Sequence, residues 1–195
     1  IARSKAETQV ERIADAARQI EGAFSLVITT NDSLVGVRDP QGFRPLCLGK
    51  TANGYVLSSE SCAFDAIKAE FIRHIDPGEM VIIDDSGVRS TVYAEPEKID
   101  KKLCVFEYIY FARGDSHIDG QSVYQSRLNM GRELYNETKY DADIVMSIPD
   151  SGTTAALGYA RASGIPFAEG LVKNRYSGRT FIKPNQEERE LSLIH

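Results

Sequence analysis

A cluster of hydrogen-bond donors at residues 150–154 is the part of this sequence best suited to chemistry. The residues Asp-Ser-Gly-Thr-Thr follow a mainly apolar run at 144–148, and a helical pattern begins directly after them. Gly152 allows a close backbone approach, and amide and hydroxyl donors at a helix N-terminus beyond a strand bind anions. The spacing alone leaves two alternatives, a phosphate-binding turn and an ordinary capped helix after a strand.

A second candidate is the cationic segment at residues 173–183, which has no acidic residue in a chain whose formal net charge is −5. Its cations are Lys173, Arg175, Arg179 and Lys183. Isolated charges of this kind usually lie on a solvated surface. Tyr176, Phe181 and Ile182 stand between them, however, and would be poorly placed in plain solvent. The segment is therefore either a solvated charge run or a loop that binds an anion.

Glu107 is the single acid in the aromatic and β-branched run at residues 103–112, which predicts a strand packed on both sides. An interior carboxylate there could be catalytic. Buried carboxylates are usually partnered, so a position at the rim or a pairing with Arg113 is the favoured alternative.

The cysteines Cys47, Cys62 and Cys104 are odd in number and widely spaced, with no Cys-x-x-Cys pair. This pattern argues against a disulfide framework and gives no metal-binding spacing.

The elements that position these groups follow two patterns. An amphipathic helix over residues 4–20 and short strands joined by tight turns up to residue 93 predict an α+β fold with antiparallel sheets. The polar stretch 95–102 contains a proline and predicts a linker. After it, strands alternate with helices in the manner of an α/β fold with a parallel sheet.

Composition narrows the class of protein. The chain has 195 residues, 42% hydrophobic, with a pI near 5.3. The acidic balance argues against nucleic-acid binding, and the absence of a long apolar run argues against a membrane span. With no signal peptide at the start, we expect a cytoplasmic protein. The chain lacks an initial methionine and both ends look cut, so we expect a piece of a longer polypeptide.

The chain resembles the amidophosphoribosyltransferase family most closely in residues 106–116 (Phe-Glu-Tyr-Ile-Tyr-Phe-Ala-Arg-Gly-Asp-Ser) and 173–182 (Lys-Asn-Arg-Tyr-Ser-Gly-Arg-Thr-Phe-Ile). These two segments are specific to the family, which is also called glutamine phosphoribosylpyrophosphate amidotransferase. Further matches lie at residues 38–46, 59–65, 76–79 and 148–151. The resemblance covers almost the whole chain.

The resemblance implies a two-domain enzyme. Residues 1–94 would be the C-terminal part of an N-terminal-nucleophile glutamine amidotransferase domain (α+β), 95–102 the linker, and 103–195 the start of a type I phosphoribosyltransferase domain (α/β). The first domain would release ammonia from glutamine. The second would add it to phosphoribosyl pyrophosphate with Mg²⁺ to give 5-phosphoribosylamine, the first step of de novo purine synthesis.

The resemblance also implies what this chain lacks. The family's nucleophilic N-terminal cysteine and its ribose-binding acidic loop are not among these residues, so no catalytic residue is assigned and we expect the piece alone to be inactive. Purine nucleotides are implied as inhibitors, and the protein as a homo-oligomer, a dimer or a tetramer. A non-catalytic regulatory module that binds a nucleotide or sugar phosphate is the alternative.

Site residues follow from the resemblance position by position. The implied pyrophosphate loop is Asp150, Ser151, Gly152 and Thr153. The implied flexible loop over the substrate contains Lys173, Arg175, Tyr176, Arg179, Thr180, Phe181 and Ile182. Tyr110 would lie on the ammonia path, and Gly152 at a position near the magnesium ion. Cys104 resembles the first ligand of a 4Fe-4S cluster present in some members, with a purely structural role as the alternative.

Overall fold

A computed structural model describes residues 1–176, 178 and 180–191 of the chain. Its contacts divide the chain into two compact units, Ile1–Arg127 (unit 1) and Leu128–His195 (unit 2). Among the described residues, none of the helices has both the length and the apolar composition needed to cross a membrane.

Unit 1 begins with α1 (Gln9–Gln19). The Thr8 hydroxyl accepts a hydrogen bond from the Glu11 amide, and the Glu11 carboxylate accepts one from the Thr8 amide, which forms a capping box. This reciprocal cap explains why the helix starts later than the predicted residue 4. The buried face of α1 carries Ile13, Ala14 and Ala17.

The sheets of unit 1 are antiparallel, as predicted. Its strands are β1 (Ser25–Thr29), β2 (Ser33–Arg38), β3 (Cys47–Thr51), β4 (Gly54–Ser58), β5 (Glu70–His74), β6 (Glu79–Asp84), β7 (Gly87–Val92), β8 (His117–Ile118) and β9 (Gln121–Ser122). They form a four-stranded sheet in the order β1-β2-β6-β7, a three-stranded sheet in the order β4-β3-β5, and the hairpin β8-β9. A short helix, α2 (Cys62–Ala66), follows β4.

The four-stranded sheet lies between α1 and the three-stranded sheet. Val35 and Met80 belong to the core cluster that contains the apolar face of α1, whereas Val81 packs with Leu48 of β3 on the opposite face. Gly36 lets the two sheets approach, because an added Cβ would lie 2.8 Å from a methyl carbon of Leu57. The first part of the chain is therefore α+β in three layers.

The predicted linker is packed along the turn that follows β2. A single 3-10 turn occupies Pro96–Lys98, and the amides of Lys102 and Cys104 then donate to the carbonyls of Gln41 (2.7 Å) and Phe43 (3.2 Å). The domain boundaries 1–94, 95–102 and 103–195 stay a prediction.

The predicted strand at residues 103–112 is wrong. The chain forms one π-helical turn at Glu107–Phe111, in which the Ala112 amide donates to the Glu107 carbonyl. Arg127 donates to the carbonyls of Tyr108 (2.6 Å) and Ala112 (2.7 Å). A side chain that is distant in the sequence thus satisfies carbonyls that a strand would have presented to a neighbouring strand, and overrides the local β propensity.

The boundary between the units falls within α3 (Val123–Glu137). Unit 2 continues with α4 (Thr153–Ser163), a 3-10 turn at Thr180–Ile182, and α5 (Gln186–Leu191). α4 ends at Gly164, whose φ of 75° is the left-handed conformation that glycine adopts freely. The backbones of α3 and α4 touch at Gly158, since an added Cβ would collide with the Leu128 carbonyl oxygen.

The strand predicted at residues 144–148 is reduced to one parallel bridge between Val145 and Phe167. The Val145 amide donates to the Pro166 carbonyl, and the Ala168 amide donates to the Val145 carbonyl, both at 2.9 Å. The pairing is parallel, as the α/β pattern predicts, but it is too short to count as a strand.

Candidate functional site

The turn at residues 149–152 leads directly into α4. Gly152 occupies the N-cap position, where no side chain accepts a hydrogen bond from the first helical turn. The Thr153 hydroxyl is instead 3.1 Å from the Ser147 hydroxyl, and the Thr153 amide donates to the Asp150 carbonyl at 3.2 Å. The peptide bond between Pro149 and Asp150 is cis. The ordinary capped helix is thus absent at this place, and the N-terminus of α4 has no side-chain acceptor at its cap.

The ion pair between Asp150 and Lys173 joins this turn to the cationic segment. The Lys173 Nζ lies 3.0 Å from the Asp150 Oδ2, and both side chains are more than half exposed. Exposed pairs of this kind are worth at most about 1 kcal/mol and open readily. The structure therefore brings two of the sequence-predicted features of unit 2 into contact through a bond that a stronger anion can displace.

The rest of the cationic segment is open to solvent. The Tyr176 side chain is fully exposed, and Phe181 and Ile182 are also mostly exposed. Arg175 is exposed and Thr180 is half-buried in the 3-10 turn. Arg179 lies outside the described residues. Three large apolar side chains facing water in one short segment are unusual for a plain solvated loop and mark a surface that contacts something else.

The aromatic turn, which we define as residues 106–111, carries Tyr110 in unit 1. The Tyr110 ring stands edge-on to Phe111 at 6.0 Å, and Phe111 lies 6.1 Å from Phe106. The Arg44 guanidinium stacks 4.7 Å from the centre of the Phe111 ring. About half of the Tyr110 side chain is exposed.

Glu107 anchors the start of this turn from inside the protein. It is buried, and its Oε1 forms an ion pair with Nη1 of Arg44 at 2.8 Å without accepting a hydrogen bond from the described residues. Burial raises the pKa of Glu107, and the Arg44 charge opposes that rise. The predicted pairing with Arg113 is wrong, because Arg113 binds Asp115 at 2.8 Å.

Sequence reasoning assigned no role to the buried guanidinium of Arg38, which it named only within the family match at residues 38–46. Arg38 is fully buried and donates to the carbonyls of Ile75 (2.6 Å), Gly42 (3.0 Å) and Arg44 (3.0 Å). It also forms an ion pair with Asp119 at 3.3 Å. The available signal was a charged residue directly after the alternating apolar positions of β2.

The cysteines show no sign of nucleophilic chemistry. The Cys47 Sγ lies 3.2 Å from Nδ1 of His74, but burial raises the pKa of Cys47 to about 12 and lowers that of His74. A thiol with such a pKa is protonated at neutral pH and is a poor nucleophile. Cys104 is half-buried. In the described part of the chain, no three His, Cys, Asp or Glu side chains are grouped to hold a metal ion.

Comparison with known proteins gives one consistent family. A family profile described as a glutamine amidotransferase domain matches residues 3–66. The amidophosphoribosyltransferase of Archaeoglobus fulgidus is 51% identical over 172 residues, which cover 88% of this chain and 37% of that protein. The amidophosphoribosyltransferase of Synechococcus elongatus is 52% identical over 185 residues, covering 93% and 37% respectively. The chain thus spans less than half the length of these relatives.

A solved structure agrees with the sequence relatives. It is the glutamine phosphoribosylpyrophosphate (PRPP) amidotransferase from B. subtilis complexed with ADP and GMP, which superposes with a TM-score of 0.89 at 43% identity. The match covers 99% of this chain and 42% of that one. Because identity of this level extends over nearly every residue, the resemblance predicted from the sequence is confirmed, and this chain is homologous to a segment of the amidophosphoribosyltransferases.

Proposed function

We propose that the full-length protein containing this segment is an amidophosphoribosyltransferase. It would hydrolyse glutamine and transfer the ammonia to phosphoribosyl pyrophosphate, giving 5-phosphoribosylamine in the first step of de novo purine synthesis. The observation that carries the proposal is the α4 N-terminus, which lacks a side-chain cap and lies beside Lys173, in a chain about half identical to such enzymes. Residues 103–195 would be the start of the α/β phosphoribosyltransferase domain, and the parallel bridge between Val145 and Phe167 supports this proposal.

The turn at Asp150, Ser151, Gly152 and Thr153 would hold the pyrophosphate group. Backbone amides at the start of α4 would point at its oxygens, and the helix dipole favours their negative charge. Lys173 would exchange its exposed contact with Asp150 for the more highly charged pyrophosphate. Anion binding and loop movement would then be the same event.

The cationic segment would close over the bound substrate. The residues proposed to contact the substrate are Lys173, Arg175, Tyr176, Arg179, Thr180, Phe181 and Ile182. Burying the exposed Tyr176, Phe181 and Ile182 would exclude water, which protects the reactive sugar and the transferred ammonia from side reactions. Tyr110 would line the ammonia path.

Mg²⁺ would supply charge neutralisation on the pyrophosphate oxygens. Gly152, at the position that the resemblance places near the ion, has no side chain to bind it, and the pyrophosphate oxygens of the substrate would be among its ligands. For a 4Fe-4S cluster, Cys104 alone does not suffice. The cysteines of this chain therefore do not fit a cluster without ligands from elsewhere in the protein.

We further propose purine nucleotides as inhibitors, since the B. subtilis neighbour was solved with ADP and GMP. A cytoplasmic homo-oligomer, either a dimer or a tetramer, is proposed on the family resemblance.

Replacement of residues 150–153 by a flexible neutral segment in the full-length protein tests the assignment. We expect a large loss of affinity for phosphoribosyl pyrophosphate while glutamine hydrolysis is kept. The same replacement of residues 52–53, the exposed turn between β3 and β4, is the control and should leave both unchanged. Unaltered binding of phosphoribosyl pyrophosphate by the first variant would show that the turn is not its site.

A further inference from the structure

The loop between β4 and α2 holds a turn that lies more than fifty residues later in the sequence. The Glu60 Oε2 accepts one hydrogen bond from the Arg113 amide at 2.8 Å and another from the Ser116 hydroxyl at 2.7 Å. The next residue, Ser61, accepts one from the His117 amide at 2.8 Å. Two consecutive side chains thus bind three groups of the segment 113–117, namely the Arg113 amide, the Ser116 hydroxyl and the His117 amide.

These contacts fix the exit of the aromatic turn. Residues 113–117 connect that turn to β8, and Ser116 within them is fully buried. The entry of the aromatic turn is fixed separately by the ion pair between Glu107 and Arg44, and its middle by Arg127, which donates to the Tyr108 and Ala112 carbonyls. Glu60 is therefore the only carboxylate among these contacts that binds the exit side.

The hydrogen-bond donors around the Glu60 carboxylate favour its negative charge. One oxygen of Glu60 accepts both hydrogen bonds, and such charge-assisted bonds are shorter and stronger than neutral ones. Burial lowers the pKa of Arg127, the guanidinium that holds the aromatic turn from the other side, and the nearby charge of Glu60 opposes this shift.

The aromatic turn exposes apolar side chains to solvent in this chain. Phe106, Tyr110 and Phe111 are each about half exposed. Four buried or half-buried charged groups, Glu60, Glu107, Arg44 and Arg127, therefore fix the backbone that carries these aromatic side chains and give them a defined position.

We propose that Glu60 is a positioning residue that holds the aromatic turn, and with it Tyr110, where ammonia passes from the glutamine reaction to the phosphoribosyl reaction. This inference rests on the proposed function. In this proposal Glu60 acts through the backbone that it holds, by its bonds to the Arg113 amide and the Ser116 hydroxyl. Its removal lowers the yield of phosphoribosylamine per glutamine hydrolysed, while each half-reaction continues.

The test uses the full-length protein with Glu60→Ala and Glu60→Gln, and compares three rates. These are glutamine hydrolysis, phosphoribosylamine formation from glutamine, and phosphoribosylamine formation from added ammonium. Glu60→Ala removes both hydrogen bonds to the segment 113–117, and we expect the ratio of the second rate to the first to fall about fivefold, which corresponds to about 1 kcal/mol of lost positioning. The rate with added ammonium should be unchanged. Glu60→Gln keeps a carbonyl acceptor and should restore part of the ratio.

Glu97→Ala, an exposed carboxylate of unit 1, is the matched control and should leave the ratio unchanged. Ser116→Ala removes only one of the donors to Glu60, so it should lower the ratio of phosphoribosylamine formed to glutamine hydrolysed by less. This milder variant keeps the test possible if Glu60→Ala does not fold. The inference is overturned if Glu60→Ala keeps the wild-type ratio, or if all three rates fall equally. If Glu60→Ala does not fold, a wild-type ratio in Ser116→Ala overturns it. Failure of the wild-type protein to form phosphoribosylamine from either nitrogen source refutes instead the proposed function.

Discussion

The two regions that carry the candidate functional residues are stabilised in different ways. The aromatic turn of unit 1 is held by buried or half-buried charges, among them Glu107 and Arg127. The turn before α4 in unit 2 is held by an exposed ion pair between Asp150 and Lys173. Buried charges are costly to separate, whereas exposed pairs exchange partners with little loss. The comparison indicates a rigid region that positions groups and an open region that can rearrange around a ligand.

The largest effect on stability is expected for Arg38→Ala in unit 1. The substitution leaves the Asp119 carboxylate buried with only Lys101 as a cationic partner and removes the donors to three carbonyls. We expect a loss of about 3–5 kcal/mol in the free energy of unfolding, measured by urea denaturation of the full-length protein. Arg89→Ala, which breaks an exposed pair with Asp84, should cost less than about 1 kcal/mol. Equal losses in the two variants would remove the distinction between buried and exposed charges.

A smaller loss is expected for Gly158→Ala in unit 2, where the backbones of α3 and α4 meet. The new methyl group collides with the Leu128 carbonyl oxygen, and the helices must separate at a cost of about 1–3 kcal/mol. Gly114→Ala is the control, since nothing lies within 4 Å of the added Cβ there. If Gly158→Ala were as stable as the control, the contact between α3 and α4 would be loosely packed, like the open turn at residues 149–152.

The pH dependence of unit 1 should show the contribution of Glu79. Burial raises the pKa of Glu79, but hydrogen bonds from Arg73 and from the Asp76 amide outweigh burial and lower it. A carboxyl with a lowered folded pKa stabilises the fold above its unfolded pKa of about 4.3, and this stabilisation disappears as the pH falls through the folded value. Glu79→Gln should therefore lose about 1–2 kcal/mol at pH 7. Urea denaturation should show the difference shrinking below about pH 4, and a constant difference at all pH values would contradict the assignment.

The smallest effect on stability is expected for Lys173→Met in unit 2. Its contact with Asp150 is exposed, so the free energy of unfolding should change by less than about 1 kcal/mol. Affinity for phosphoribosyl pyrophosphate, measured by calorimetry, should nevertheless fall about tenfold, because one charge-assisted contact is lost. Lys139→Met, another exposed lysine of unit 2, should change neither quantity. A stability loss comparable to that of Arg38→Ala would make this region rigid, like the aromatic turn.

Local patterns predicted much of this fold from the sequence. The antiparallel strands and the turn before α4 depend on neighbouring residues, such as alternating apolar side chains or a glycine at the start of a helix. The aromatic run at residues 103–112 was mistaken for a strand because its conformation depends on Arg127 and Arg44. The pattern of residues within the run does not indicate that these distant arginines bind it.

The same limit applies to the site. Asp150 and Lys173 could each be named from local composition and from resemblance, but their contact could not. Arg38 and Glu60 were given no role because a single charged residue at the end of a strand or in a loop has no local signature, and each acquires its role from carbonyls, amides or carboxylates elsewhere in the chain. Contacts of this kind have to be observed in the structure.

We propose above all that the turn at residues 150–153 binds the pyrophosphate group of a ribose phosphate. Calorimetric titration of the full-length protein with phosphoribosyl pyrophosphate and with ribose 5-phosphate tests it most directly. The wild-type protein should bind the first ligand more tightly, and replacement of residues 150–153 by a flexible neutral segment should abolish the difference. A preference for phosphoribosyl pyrophosphate that survives the replacement would contradict the claim.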